Sequence, residues 1–309
     1  MITIKAPAKI NLFLDVVGNR QDGYHNIKSL LLPVSLFDTI RIERRVRNIS
    51  AFISPVCRFE GIPWGFSMGS KDDNLITRAA NVFKTFTACR KGAAIFLTKR
   101  IPIGAGLGGG SADAAAVLIG LNRLWKTGLS TEQLMKIGAR IGCDVPALIH
   151  GGASCMEGRG ETISPINDLD ESDFLMLLVY PGFAISTRDI YQRYDRHFKQ
   201  SRPRGSSGSK FNLVKAGLKR GSMHLVGTGL FNALQATVFR KYPLLEIIKN
   251  SLEQAGAEHV QLTGSGSTVF VLLKERKTGE KLAKLIRKQI GSPLWTQVVQ
   301  TIGKSNQSG

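Results

Sequence analysis

The sequence predicts an α+β protein built as two domains, and three observations carry that prediction. Strand and helix patterns are mixed along the chain without the regular strand–helix–strand alternation of a doubly wound sheet. At 309 residues the chain is long enough for two domains of ordinary size. A polar, acidic stretch at residues 167–173 separates two halves that each carry strand and helix patterns, and it reads as a linker. The division that follows is residues 1–166 and 167–304, with 305–309 a disordered tail. Hydrophobic content of 43% and charged content of 21% are ordinary for a soluble globular protein. There is no run of about eighteen apolar residues, so no transmembrane helix and no membrane partner are expected.

Taken in order, residues 1–17 alternate as a strand and lack the apolar core of a signal peptide, which points to a cytoplasmic protein. Residues 18–26 form a turn-rich loop, and 27–45 one or two strands. Residues 74–90 have helical periodicity through Leu75, Ala79, Val82, Phe83 and Phe86, with Asp72 or Asp73 as cap. Residues 93–99 are a strand running into a glycine-rich loop, and the alanine-rich run after Ser111 is a helix reaching Trp125. Ser130 to Gln133 is a capping signature for another helix. The continuous apolar run at 174–181 is a buried strand, and 186–191 opens a helix. Residues 200–210, rich in Ser, Gly and Arg, read as an exposed mobile loop. Residues 225–239 and 244–254 read as helices, and 260–272 as strand, small-residue turn, strand. A basic amphipathic helix at 279–290 and a strand at 298–302 close the chain.

The chemistry concentrates in the loop Pro102-Ile103-Gly104-Ala105-Gly106-Leu107-Gly108-Gly109-Gly110-Ser111. Glycine loses much entropy on ordering, so such a cluster implies close backbone approach to something bulky. A glycine-rich loop opening a helix offers free N–H groups and the positive end of the helix dipole, which is a phosphate site. Ser111 fits either as N-cap or as a hydroxyl ligand to phosphate or its metal. Gly104 to Gly109 formally match the dinucleotide fingerprint, but that motif belongs after the first strand, with an acidic residue about twenty positions on. Residues 121–127 contain no Asp or Glu. A Walker loop needs Gly-Lys-Ser or Gly-Lys-Thr, and here Gly-Gly-Ser stands in that place. The loop is a phosphate cradle of another kind.

Other residues fit poorly with their surroundings. Lys9 and Asn11 share one face of the first strand, either a solvated edge or the floor of a site. Tyr24-His25 offers a flat ring and a ring nitrogen, or plain packing. Asp144, between Cys143 and Val145-Pro146, either caps a helix starting at Pro146 or has a chemical partner. The net charge of +19 invites a nucleic-acid reading, yet the basic residues are spread along the chain without interleaved aromatics. Cys57, Cys89, Cys143 and Cys155 are scattered with no CxxC pair, which argues against structural zinc and for a reducing compartment.

Taken together, these motifs resemble the GHMP kinase superfamily. Residues 102–115 resemble its ATP loop, Pro7-Ala8-Lys9-Ile10-Asn11-Leu12 its first motif and Thr263-Gly264-Ser265-Gly266 its third. Most of the superfamily carries Gly-Leu-Gly-Ser-Ser, whereas this chain has Gly-Leu-Gly-Gly-Gly-Ser. With Asp22-Gly23-Tyr24-His25 and Gly142 to Pro146, it resembles the branch that phosphorylates the 2-hydroxyl of a CDP-linked methylerythritol for isoprenoid synthesis without mevalonate. The resemblance implies a ribosomal-protein-domain-like N-terminal half and a ferredoxin-like C-terminal half. It implies ATP and Mg²⁺ as cofactors, a small CDP-linked substrate, no nucleic-acid partner, and a monomer or weak homodimer.

Carried over by residue, the resemblance makes Asp144 the base for the acceptor hydroxyl and Lys9 its charged partner. Pro102, Gly104, Gly106, Leu107, Gly108, Gly109, Gly110, Ser111 and Ala112 hold ATP, with Lys99 a further nucleotide contact. Asn11 orients the acceptor, Tyr24 and Tyr191 sandwich the cytosine, and His25 meets its hydrogen-bonding edge. Thr187 lines the same pocket, and no carboxylate pair is dedicated to a metal. The competing readings are another GHMP kinase, such as homoserine or mevalonate kinase, which has no use for Tyr24-His25, and a basic nucleic-acid-binding protein.

Overall fold

The first strand is the inside of the molecule. Every residue from Ala6 to Val16 is buried, so this segment is covered on both faces. The architecture follows from what covers it. The structure is a computed structural model that describes residues 1–45, 55–61, 74–89, 91–166, 174–197 and 206–303. Its elements in chain order are β1 (Ile2–Asn19), β2 (His25–Arg45), β3 (Pro55–Phe59), α1 (Leu75–Thr87), β4 (Gly92–Lys99), α2 (Gly109–Trp125), α3 (Thr131–Gly138), α4 (Val145–His150), β5 (Ser154–Gly158) and β6 (Thr162–Pro165). There follow β7 (Leu175–Tyr180), α5 (Thr187–His197), α6 (Ser206–Lys219), α7 (Met223–Gly229), β8 (Phe231–Asn232), α8 (Gln235–Lys241), α9 (Pro243–Gln254), β9 (Val260–Leu262), β10 (Val269–Leu273), α10 (Arg276–Ile290) and β11 (Trp295–Gln300).

A seven-stranded sheet runs β3-β4-β2-β1-β8, with β5 also on β2 and β6 on β5. A four-stranded antiparallel sheet runs β11-β7-β10-β9. This mixed, two-sheet arrangement is the expected α+β class. On one side, Ile4, Ala6, Ile40 and Ile42 pack with α1, α2, α3 and α4. On the other, Ala8, Ile10, Leu30 and Leu32 meet Met176, Leu178 and Tyr180 of β7 and Phe270 and Leu272 of β10. The halves therefore share an interior, and α5, α8, α9 and α10 close the far face of the second sheet.

Several local expectations change. The helix expected over 225–239 is broken into α7, β8 and α8, because Phe231–Asn232 pairs with Phe13–Leu14 at the sheet edge. Asn232 fixes the break: its amide donates to the carbonyls of Leu262 and Gly264, and its oxygen accepts from Leu234 N. Such local side-chain bonds compete with helix. Residues 206–210, expected in a mobile loop, are the first turn and more of α6. Ser111 is not the N-cap of α2; Gly108 is. The helix expected from 279 starts at Arg276, and the strand expected from 298 starts at Trp295. Asn74, not an aspartate, caps α1 by accepting from Ile76 N. Asp72 and Asp73, the linker at 167–173, residues 200–205 of the basic loop and the tail at 305–309 lie outside the described residues.

A charged cluster is sealed between β2, β4 and α2. Lys99, only 2% exposed, bonds Asp38 and, at 2.9 Å, Asp113. Asp38 Oδ1 also accepts from the backbone N–H groups of Arg100 and Ile101, fixing the chain as it leaves β4. One ammonium thus serves two carboxylates. Burial, aided by the Asp38 charge and opposed by Lys99, pushes the Asp113 carboxyl up from 3.8 to about 7. The native state then keeps this proton over a window in which the unfolded chain has released it, so Asp113 makes stability fall as pH rises from about 4 to about 7. Replacing Asp113 by Asn, which still accepts from Lys99, is expected to flatten that decline. Urea midpoints measured across this window for both proteins check it, and an unchanged slope in the variant would count against it.

Candidate active site

A cavity of about 560 Å³ opens where the loop after β4, the middle of β1, the start of α4, the start of α5 and the β9–β10 turn converge. Each wall has a local cause. Gly104, Gly106 and Gly108 have φ of +66°, +78° and +68°. At two of these positions the close approach is explicit. A Cβ on Gly106 would lie 2.6 Å from the carbonyl oxygen of Thr263 and 2.7 Å from that of Gly266, and one on Gly108 would lie 2.7 Å from Lys9 Cγ. The loop is thereby pressed against both the β9–β10 turn and β1. Backbone bonds hold it there: Lys9 N donates to Leu107 O at 2.9 Å, and Thr268 N to Ala105 O at 3.1 Å.

The helix α2 then begins on Gly108, which has no side chain to cap it. Its first-turn N–H groups and positive dipole end face the cavity beside Gly109, Gly110 and Ser111. This is an anion cradle. Pro102, Gly104 and Gly106 line the same wall. Leu107 and Ala112, each 1% exposed, do not line it; they pack behind it. Lys99 borders the cavity, but its ammonium belongs to Asp38 and Asp113. Expected as a nucleotide contact, Lys99 also supports the loop from beneath: a Cβ on Gly109 would come 2.8 Å from its Nζ.

Lys9 and Asn11 are each 5% exposed, which rules out the solvated edge. Lys9 Nζ donates to Asn11 Oδ1 at 2.6 Å and lies 3.4 Å from Asp144 Oδ2. Asp144 occupies the N-cap position of α4, yet its carboxylate makes no capping bond. At 29% side-chain exposure it faces Lys9 and the cavity, so a carboxylate, an ammonium and the anion cradle meet at one end of the cleft. Asn11 was expected to orient an acceptor; in this structure its side chain holds Lys9.

At the other end, Tyr191 and Thr187 of α5 line the cavity. Thr187 Oγ1 lies 2.8 Å from Ser265 Oγ in the third motif. The ring against Tyr191 is His25, at 4.7 Å between centroids, rather than Tyr24. His25 Nε2 lies 3.0 Å from Asp195 Oδ1, which sets the ring on Tyr191. Tyr24, expected to sandwich the cytosine with Tyr191, is exposed, with the Arg159 guanidinium 5.2 Å from its ring centroid. Burial, with the Asp144 charge adding to it, pushes the Tyr191 phenol well above its ordinary value and keeps it neutral. Sequence reasoning missed Asp195, Asp38 and Asp113, and named Ser265 only as part of the third motif. Asp195 follows Tyr191 by four residues on α5, a same-face spacing that could have flagged it.

The comparisons agree with this geometry. Residues 74–152 match the pattern described as GHMP kinases N terminal domain, and residues 214–290 that described as GHMP kinases C terminal. The chain is similar to the 4-diphosphocytidyl-2-C-methyl-D-erythritol kinases of Alkaliphilus oremlandii and Caldanaerobacter subterraneus. It is 38% identical to the first over 88% of both chains and 35% identical to the second over 98% of both. A crystal structure of a 4-(cytidine 5'-diphospho)-2C-methyl-D-erythritol kinase superposes with a TM-score of 0.74 at 29% identity, covering 98% of this chain and 100% of that one. A phosphate cradle, a buried lysine paired with an aspartate and this extent of likeness lead to one assignment: the chain belongs to the 4-diphosphocytidyl-2-C-methyl-D-erythritol kinase family of the GHMP kinases.

Proposed function

We propose that this chain is the ATP-dependent kinase that phosphorylates the 2-hydroxyl of 4-diphosphocytidyl-2-C-methyl-D-erythritol, in the route to isoprenoid precursors that bypasses mevalonate. The observation that carries the reading is the Lys9–Asp144 pair beside the uncapped start of α2. The relatives that bear this activity in their names support the choice of acceptor. Phosphoryl transfer asks a protein mainly for positioning and charge stabilisation. The N–H groups of Gly109, Gly110 and Ser111 hold the triphosphate. Asp144 accepts the proton of the acceptor hydroxyl, the freed oxygen attacks the γ-phosphorus, and ADP departs. Lys9 stabilises the negative charge that develops on the attacking oxygen. The ring of Tyr191, oriented with His25 and Asp195, receives the cytosine.

Among the described residues no cluster of three or more His, Cys, Asp or Glu could hold a metal. In this reading Mg²⁺ is carried by the triphosphate, with Ser111 the hydroxyl at hand; when bound, the ion neutralises phosphate charge. The partners in this reading are the two small substrates, without nucleic acid, and the chain works as a monomer or weak homodimer in the cytoplasm. No described helix is long and apolar enough to cross a membrane.

Two measurements test the proposal. ADP release is expected with the CDP-linked acceptor and not with mevalonate or homoserine; turnover of either of these alone would overturn the acceptor. Asp144→Asn is expected to lower kcat by about 10³-fold while ATP affinity, read by calorimetry, stays within about twofold. A variant that keeps a tenth of the native kcat would remove Asp144 as the base.

A further inference from the structure

We infer that Ser29, a buried residue of β2 that cannot touch either substrate, is a positioning residue: it sets the polarity of the hydrogen-bond chain that aims Lys9. The argument rests on the reading of Lys9 and Asp144 given above. Ser29 is fully buried. Its hydroxyl donates to the backbone carbonyl of Phe13 at 2.8 Å. A carbonyl only accepts, so the Ser29 proton is committed and its oxygen is left as an acceptor. It accepts from Asn11 Nδ2, also at 2.8 Å.

An amide has one donor end and one acceptor end, and its orientation is decided by the network around it. With Nδ2 committed to Ser29, Oδ1 of Asn11 must face Lys9, which donates to it at 2.6 Å. One of the three ammonium protons is thereby used on Asn11. The remaining two are free for Asp144 and for the reacting oxygens. The opposite amide orientation would present N–H groups to an ammonium that is 5% exposed, and would turn it from Asp144.

The backbone is shaped for this chain. The β1–β2 register shifts between Asn11 and Phe13, the two residues that Ser29 bonds, and Leu12 has no partner across the ladder. Bulges of this kind re-aim side chains next to active sites. Asn11 is also held from its backbone side, where its N–H donates to Thr263 Oγ1 at 3.0 Å.

The test compares Ser29→Ala, which removes the acceptor, with Ser29→Thr, which keeps the hydroxyl. For Ser29→Ala, kcat is expected to fall about tenfold or more, with KM for ATP and for the acceptor within about twofold. Ser29→Thr is expected to recover most of that loss. Melting curves establish that both variants are folded. In NMR the Asn11 side-chain N–H protons, protected from solvent exchange in the native chain, are expected to lose protection in Ser29→Ala only. The kcat ratio is read on whichever acceptor the native chain phosphorylates, so a wrong acceptor and a wrong role for Ser29 give different results. A folded Ser29→Ala with native kcat would overturn the inference. So would equal losses in both variants, or an Asn11 amide that stays protected without the Ser29 hydroxyl.

Discussion

An ammonium group in the middle of a strand covered on both faces is the constraint from which most of this structure can be understood. Removing such a charge from water costs several kcal/mol unless partners replace the lost hydration. Lys9 lies within the fully buried run of β1, and its partners come from four directions. Asn11 supplies an amide oxygen from the same strand, and Asp144 a carboxylate from the start of α4. The loop before α2 lies over its methylenes, and the turn after β9 lies close to its nitrogen. A phosphate-bearing substrate would complete this shell, which is the state the unpartnered ammonium protons favour. The same geometry explains why the loop must be glycine where it crosses Lys9, since any side chain at Gly108 would occupy the space of that stem.

A second buried lysine plays the opposite part. Lys99 sits behind the loop rather than in front of it, and two carboxylates absorb its charge. The two lysines bracket the start of α2: one faces the cavity, the other ties together β4, β2 and α2 behind it. Both are buried, and both are held by partners distant in sequence, Asp144 for Lys9 and Asp38 for Lys99. Rigid backing of this kind is what a site needs when catalysis depends on placing groups rather than on covalent chemistry.

The shared interior of the two sheets gives this arrangement its mechanical basis. Because β1 and β2 pack on β7 and β10, the phosphate loop, the third motif and α5 are fixed relative to one another without a hinge of their own. Bonds across the junction follow that packing. Ile185 N donates to Gly104 O, Thr268 N to Ala105 O, and Asn11 N to Thr263 Oγ1. The wall that leads into α5 is therefore bonded to the wall formed by the glycine loop.

The sequence by itself determined the α+β class, the glycine loop opening a helix, and Lys9 and Asp144 as residues at odds with their surroundings, whose pairing only the family resemblance implied. These are local signals: glycine spacing, helix propensity, and polar residues set where their neighbours are apolar. Residues whose roles depend on long-range contacts were not legible. The break at Phe231–Asn232 comes from pairing with β1 and from bonds to the β9–β10 turn, against a helical local pattern. Lys99 looked like a ligand contact because Asp38, sixty-one positions away, is invisible in the local run. The contact of His25 with Tyr191 was not legible because Asp195, one hundred and seventy positions on, holds the His25 ring. Ser29 carried no signal, since a serine in a strand is unremarkable until its donor and acceptor partners are known. What only the tertiary structure decided is which polar groups meet, and the reason is physical. Burial forces each charge and each donor to find a partner, but the chain brings that partner from wherever packing places it.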